Sequence, residues 1–176
     1  MSSYKRKRKK IYCFDTSAFL ALSRTHEKVI KIDNAIWDQL EKLMEEELLI
    51  SHQIVFDEIM SGTKNPHQIV KWIGKVKKHF LPKTDAQKIQ VPEIVRQFPD
   101  LIEVEREKEQ ADPWLIALAI EKCKEATLFD VQLCIVVTQE NANSSKKIPA
   151  ACEKFKLKHM SLREFFDDIG LSTKLS

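Results

Sequence analysis

The stretch Ile11-Tyr12-Cys13-Phe14-Asp15-Thr16-Ser17 decides the fold. Its apolar part is too short for a helix and is rich in β-branched and aromatic side chains, which is typical of a buried strand. The run ends in the carboxylate Asp15, and two hydroxyl residues follow it. Because α/β proteins bind ligands beyond the carboxyl ends of parallel strands, this acid stands where chemistry is expected.

Further along the chain, strand and helix patterns alternate. The sequence predicts strands at 11–14, 48–51, 131–137 and 157–160, and helices at 18–23, 33–48 with Asp33 as its cap, 52–62, 66–80, 113–124 and 149–155. Residues 85–98 and 100–109 predict one or two more helices, divided at Pro99. Asp112 is expected to cap the helix that begins at Pro113, and Ser161 with Glu164 fits a capping box for a last helix. This alternation predicts an α/β fold, a three-layer α/β/α sandwich with a central parallel sheet.

Length and composition favour one soluble globular domain. The chain has 176 residues, 43% of them hydrophobic and 31% charged, and it has only 3 glycines, which argues against a glycine-rich phosphate loop. We find no apolar run long enough to span a membrane and no signal peptide, so we expect a cytoplasmic protein. The four cysteines form no metal-binding spacing and are expected to be buried, reduced thiols.

The positive charge is concentrated at the start of the chain. Residues 5–10 carry six basic side chains, and without them the chain has 23 basic and 26 acidic residues. We therefore divide the chain into a basic, disordered arm (1–10), a single domain (11–170) and a tail (171–176). Such an arm is either a solvated tail or a segment that contacts the phosphates of a nucleic acid, and the sequence leaves both open.

Four acids are candidates for a common site. Asp15 and Glu140 follow two predicted strands, Asp112 opens a buried helix, and Glu58 lies on the helix after the second strand, with Asp57 as a competitor for its role. Each pair of carboxylates brought to about 5 Å costs roughly 3 kcal/mol at an effective dielectric constant near 20. Such a cluster persists if it holds protons or a hard cation, and oxygen ligands suit Mg²⁺ or Mn²⁺.

These acids lie in segments that resemble the motifs of the PIN-domain superfamily, most of whose members are metal-dependent ribonucleases. The resemblance covers almost the whole chain after the basic arm. Its four segments are Phe14-Asp15-Thr16-Ser17, Val55-Phe56-Asp57-Glu58-Ile59, Ala111-Asp112-Pro113-Trp114-Leu115-Ile116-Ala117 and Val136-Val137-Thr138-Gln139-Glu140. The third is the most specific. Many relatives carry aspartate where this chain has Glu140.

The resemblance implies a function and a set of site residues. Asp15, Glu58 and Asp112 would bind Mg²⁺ or Mn²⁺, Glu140 would be the fourth acid, and Thr16 or Thr138 would orient carboxylates by hydrogen bonds. The stretch 64–110 would form a helical lobe above the site. The implied activity is hydrolysis of RNA phosphodiester bonds, with RNA as a partner.

Many PIN-like proteins of bacteria and archaea are toxins of VapC type. The resemblance therefore also implies a role as the toxin of a toxin–antitoxin pair, with a cognate antitoxin protein and a homodimer as possible assemblies. A different hypothesis keeps the fold and drops the chemistry: the domain could be a catalytically idle module that binds nucleic acid or protein. The two differ in their response to metal, because an idle module should not be stabilised by Mn²⁺.

Overall fold

The computed structural model describes residues 8–28, 34–62, 64, 67–125, 131–141 and 147–171. Within these ranges, five strands alternate with helices. The strands are β1 (Arg8–Phe14), β2 (Leu49–His52), β3 (Phe80–Leu81), β4 (Val131–Val137) and β5 (Lys158–Met160). The helices are α1 (Thr16–Lys28), α2 (Asn34–Glu45), α3 (Gln53–Ser61), α4 (His67–Lys75), α5 (Asp85–Gln97), α6 (Ala111–Lys124), α7 (Ile148–Lys154) and α8 (Leu162–Asp168).

The strands form one sheet in the order β3-β2-β1-β4-β5, and every neighbouring pair is parallel. Helices flank the sheet, so the predicted α/β/α sandwich with a central parallel sheet is confirmed. β1 is the middle strand, and it pairs with β4 along its whole length, from Arg8↔Val131 to Phe14↔Val137. The carboxyl ends of β2, β1 and β4 therefore lie side by side.

The apolar segment at residues 11–14 forms the centre of the core. Residues 11–14 are all buried, and the Phe14 ring packs 5.2 Å from Phe19 of α1 and 4.8 Å from Phe165 of α8, centroid to centroid. Edge-on and tilted aromatic pairs of this kind stabilise a core beyond the area that they bury. β1 thus joins helices from both ends of the chain.

The cysteines agree in part with expectation. All four are free thiols, and Cys13, Cys134 and Cys152 are fully buried. Cys123, on α6, is partly exposed, so the prediction that all four are buried is wrong at that position. Burial is the largest factor that raises the pKa of the Cys152 thiol, which disfavours the reactive thiolate.

The first strand begins earlier than the sequence predicts. β1 starts at Arg8, so residues 8–10, which we assigned to the basic arm, belong to the sheet. Lys10 forms an ion pair with Asp168 of α8 at 2.6 Å, and Tyr12 donates a 2.5 Å hydrogen bond to the same carboxylate. The remainder of the arm (1–7) and the tail from 172 lie outside the described residues, as does Asp33, the expected cap of α2.

The region between the second and third motifs is less helical than predicted. The helix expected at 66–80 ends at Lys75; a 3₁₀ turn follows at Lys77–His79, and Phe80–Leu81 forms the short strand β3 against Ser51 and His52. The structure describes no helix at 100–109; the only helical turn near these described residues is a 3₁₀ turn at Pro99–Leu101. Most side chains in 103–109 are charged and all are exposed, so no apolar face favours a helix there.

The stretch 64–110 is therefore not a continuous helical lobe. Its main helix is α5, which starts with a capping box formed by Thr84 and Gln87. The capping box predicted for Ser161 and Glu164 is present at the start of α8. None of the helices described here is both long enough and apolar enough to cross a membrane.

Candidate functional site

The four acids lie around the carboxyl edge of the sheet. Asp15 directly follows β1, Glu140 follows β4, Glu58 is on α3 just after β2, and Asp112 is in the first turn of α6. Asp15, Glu58 and Glu140 are each close enough to Asp112 for their charges to raise its pKa. The structure thus brings the four carboxylates close enough for their charges to interact at Asp112.

Asp15 is held by a ring of hydrogen-bond donors. Ser17 Oγ lies 2.9 Å from Oδ1 and 2.8 Å from Oδ2, the Ala18 amide donates to Oδ1 at 2.6 Å, and Thr138 Oγ1 donates to Oδ2 at 2.6 Å. The residue is only 3% exposed. Burial raises the pKa of Asp15 to about 6, with a smaller contribution from the charge of Glu140, although the three donors act to lower it.

Glu58 bridges three helices. Thr16 Oγ1 of α1 donates to Glu58 Oε2 at 2.6 Å, and the Ala111 amide donates to Oε1 at 2.9 Å. The second bond occupies one of the amide groups that a helix leaves unpaired at its start. Glu58 therefore caps α6 from a distance of 53 residues in the chain.

The sequence predicted that Asp112 caps α6, and this prediction is wrong because Glu58 occupies the amide at the start of the helix. The helix starts at Ala111 with Gln110 at the N-cap position, so Asp112 is the second helical residue. Burial is the main factor that holds its pKa well above the usual range, followed by the charges of Glu140, Asp15 and Glu58. Among the described residues, no donor forms a hydrogen bond to the Asp112 carboxylate.

Glu140 has a structural contact of its own. Its Oε2 accepts a 2.9 Å hydrogen bond from the amide of Ile148, the first residue of α7, and its own amide donates to Thr138 Oγ1 at 3.1 Å. Glu140 thus caps α7 while its charge acts on Asp15 and Asp112.

The donor set suits a hard cation in its chemistry, since all four groups are carboxylates. In spacing, however, no three acidic, histidine or cysteine side chains of the described residues lie close enough together to hold one ion. Three of the acids accept hydrogen bonds from the protein in this arrangement. Mutual repulsion of like charges acts against a closer approach without a cation.

Thr16 donates a hydrogen bond to Glu58 and Thr138 donates one to Asp15, the contacts that the prediction of carboxylate-orienting hydroxyls requires. Two further residues were missed. Ser17 contacts both oxygens of Asp15, and Lys147 lies near enough to Asp112 for its positive charge to lower the pKa of that carboxyl. The signal for Ser17 is its place two residues after the strand-end acid. Nothing local marks Lys147, which only the folded chain brings close to Asp112.

A cavity of about 850 Å³ opens on the Glu58 side of the site. Its lining includes Thr16, Leu20 and Ile54 from the helices, with Arg106 and Lys108 from the irregular segment that follows α5. A concave surface next to the acids leaves room for a substrate larger than a single ion.

Fold and site together define a parallel α/β protein with an acidic carboxyl edge. A sequence model of the family described as a domain of unknown function, DUF4411, matches residues 12–173, and the chain belongs to this family. The match includes all four acids. A comparison with curated proteins found no match.

Proposed function

We propose that the protein is a PIN-like endoribonuclease that uses Mg²⁺ or Mn²⁺ to hydrolyse RNA phosphodiester bonds. The observation that carries the proposal is the convergence of Asp15, Glu58, Asp112 and Glu140 on one edge of the sheet. Burial and the charges of the other three acids raise the pKa of Asp112 there. A purely structural role of Asp112 at the start of α6 would not require three further acids around it. A cation would remove the repulsion among these groups, and many nucleases work through such an ion.

The proposed roles of the side chains rest on the PIN-like motifs and on the hydrogen bonds around the acids. Asp15, Glu58 and Asp112 would hold the ion, with Glu140 beside them. When bound, a divalent cation lowers the pKa of a water molecule and neutralises charge on a phosphate. Ser17 and Thr138 fix the rotamer of Asp15, and Thr16 fixes that of Glu58.

Water would add its oxygen to phosphorus while the bond to the leaving ribose oxygen breaks. The proton of that water passes to solvent. The leaving ribose oxygen takes up a proton from solvent.

The test is cleavage of structured and unstructured RNAs with Mg²⁺, with Mn²⁺ and with EDTA. We expect metal-dependent cleavage that is lost in Asp15→Asn and in Asp112→Asn. Asp167→Asn, at an exposed position on α8, is the matched control and should keep wild-type activity. Cleavage in EDTA, or full activity of Asp15→Asn, would contradict the proposal.

The idle-module hypothesis is decided by a binding measurement. Mn²⁺ titrated into the wild type should raise the melting temperature, because a ligand that binds only the folded state stabilises it. Asp15→Asn should respond much less. A wild type that does not respond at any Mn²⁺ concentration would favour a domain that binds nucleic acid or protein without catalysis.

The proposal extends to a toxin that acts in the cytoplasm and is neutralised by an antitoxin, and this part rests on the PIN-like motifs alone. Expression of the wild type should arrest growth and degrade RNA, whereas Asp112→Asn should do neither. Co-expression of the protein encoded next to it should restore growth and co-purify with it. Growth of the wild-type strain at normal rate with intact RNA would remove the toxin role.

A further inference from the structure

A buried histidine connects the two helices that carry Glu58 and Asp112. His52 is the last residue of β2 and the N-cap of α3, and its side chain is fully buried. Its Nδ1 accepts a 3.1 Å hydrogen bond from the Ile54 amide, which caps α3, the helix of Glu58. The imidazole therefore stabilises the start of α3 by a direct hydrogen bond.

The ring contacts the other helix as well. It stacks on Trp114 of α6 with the centroids 5.5 Å apart and the planes at 28°. Trp114 lies two residues after Asp112, in the same helical turn as that acid. The ring thus contacts the start of α3 and the first turn of α6 at the same time.

The hydrogen bonds define one tautomer of the ring. Since Nδ1 is an acceptor, the proton is on Nε2, which donates to Gln87 Oε1 at 3.1 Å. The amide of Gln87, a residue only 1% exposed, donates in turn to Glu121 Oε2 at 2.5 Å, further along α6. Burial lowers the pKa of His52, which is in keeping with a neutral ring. The network joins α3, α5 and α6 through groups that are nearly all withdrawn from water.

The Glu58–Ala111 hydrogen bond crosses the same gap between α3 and α6. A second connection is physically useful there, because carboxylates on separate helices repel one another and would otherwise tend to move apart. The packing of the neutral His52 ring and its own two hydrogen bonds oppose that movement without adding charge.

We propose that His52 is a positioning residue: its neutral ring, held between Ile54, Gln87 and Trp114, sets the placement of α3 relative to α6 and so of Glu58 relative to Asp112. The consequence for cation affinity rests on the proposed function. The consequence for the helices does not, which allows the two to be tested apart.

The first experiment measures hydrogen exchange of single amides in the metal-free protein. In His52→Ala, the amides of Ile54 and Ala111 should exchange roughly fivefold faster or more, the loss expected when a cap is removed. The amide of Ala18, bonded to Asp15, is the internal reference and should keep its protection. Leu157→Ala, a core truncation between α7 and β5, is the control for general destabilisation and should not single out Ala111.

Two further variants separate the contacts. Asparagine is a good N-cap, so the Ile54 amide should exchange in His52→Asn as slowly as in the wild type. The Ala111 amide should exchange faster, because the ring that packs on Trp114 is lost. His52→Phe keeps a ring for Trp114 but loses both hydrogen bonds, so Ile54 should lose protection. If His52→Ala fails to fold, these two variants decide. Wild-type exchange at Ala111 in folded His52→Ala or His52→Asn would overturn the proposal.

The second experiment is calorimetric titration with Mn²⁺. Loss of groups that orient metal ligands typically costs 10–100-fold in affinity, and we expect about that loss in His52→Asn and His52→Phe, with no comparable loss in Leu157→Ala. A wild type that does not bind Mn²⁺ refutes the proposed function but leaves the exchange result standing. Mn²⁺ binding by the His52 variants at wild-type affinity overturns the positioning role.

Discussion

Thr138 Oγ1 donates a 2.6 Å hydrogen bond to Asp15 Oδ2, although 123 residues separate the two in the chain. The contact follows from the parallel register of the two central strands, in which Phe14 of β1 is paired with Val137 of β4. The next residue on each strand is then a carboxylate and a hydroxyl side by side. A slip of one residue in register would turn one of the two side chains to the other face of the sheet.

Removal of this hydroxyl should destabilise the protein and weaken its site. In Thr138→Val, the buried Asp15 carboxylate loses one donor, and hydrogen bonds to charged groups contribute about 1.5–3 kcal/mol each. We expect the free energy of unfolding at pH 7 to fall by that amount, as measured by urea denaturation. Mn²⁺ affinity should fall roughly 10–100-fold, since the carboxylate is less well oriented.

Thr138→Ser is the matched control, because it keeps the hydroxyl and removes only a methyl group. It should retain most of the Mn²⁺ affinity of the wild type. Equal affinities for Thr138→Val and the wild type would show that this hydroxyl has a structural role only.

The neighbouring acids Asp57 and Glu58 offer a sharper test of the site. Glu58 accepts hydrogen bonds from Thr16 and Ala111, whereas Asp57 is exposed on the same helix. Glu58→Gln removes the charge and one of its two acceptor oxygens, so we expect loss of Mn²⁺ affinity by about 100-fold or more, above the cost of losing an orienting partner. Asp57→Asn changes charge by the same amount and should bind Mn²⁺ as the wild type does. If the two variants lose affinity equally, the effect is one of net charge and Glu58 is not a ligand.

The strands and most helices could be predicted because their signals are local. An apolar run such as residues 131–137, a capping box such as Ser161 with Glu164, or an amphipathic period is complete within one segment of sequence. β3 could not be predicted, because two residues are too few to show the alternation of a strand. The apolar Phe80 also fits the helical pattern of residues 66–80. Its pairing with Ser51 and His52 depends on tertiary structure.

The site shows the same division. The acids and hydroxyls at the strand ends were visible because a parallel sheet brings such ends to one edge. The predicted start of α6 is two residues too late, because Asp112 is a good local cap and the acceptor that competes with it, Glu58, lies far away in sequence. His52 carried no local sign of its contacts with Gln87 and Trp114, which only the folded chain brings to it.

The buried His52 also predicts a dependence of stability on pH. Its folded pKa is lowered, mainly by burial and also by the charge of Lys83, against opposite effects of Gln87, Glu109 and Asp57. Below pH 6.5 the unfolded chain takes up a proton that the folded ring does not. The contribution of His52 to the free energy of unfolding is therefore present in full above pH 6.5 and is lost as the pH falls below it. Each pH unit below 6.5 costs at most about 1.4 kcal/mol.

His52→Asn isolates this effect. Urea denaturation at pH 7.5 and at pH 5.5 should show a larger acid-induced loss of stability in the wild type than in the variant. The comparison is needed because Asp15, with its pKa raised to about 6, acts in the opposite sense: its contribution is full below the unfolded pKa and is lost as the pH rises through 6. Equal pH dependence of the two proteins would indicate that His52 takes up a proton without cost.

The contact of β1 with α8 should depend more on Tyr12 than on Lys10. Both donate to Asp168, but Tyr12 is 5% exposed, whereas the Lys10 side chain is 45% exposed. An exposed ion pair contributes roughly 0–1 kcal/mol. Tyr12→Phe should therefore lower the free energy of unfolding by about 1.5–3 kcal/mol, and Lys10→Ala by less than about 1 kcal/mol. The reverse order in urea denaturation would contradict this assignment.

The start of β1 at Arg8 changes how the basic arm should be tested. Deletion of residues 1–10 would remove part of the central strand, whereas deletion of 1–7 removes three basic side chains and leaves β1 complete. If the arm contacts RNA phosphates, the slope of log K against log salt should become less steep by about 2 units, near 0.7 for each lost contact with a single strand. Fluorescence anisotropy with a labelled single-stranded RNA in EDTA measures binding without cleavage. The full-length chain with Lys5, Arg6 and Lys7 replaced by glutamine is the matched control for chain length and should give the same slope as the deletion. A slope equal to that of the wild type in both would show that the arm does not contact RNA.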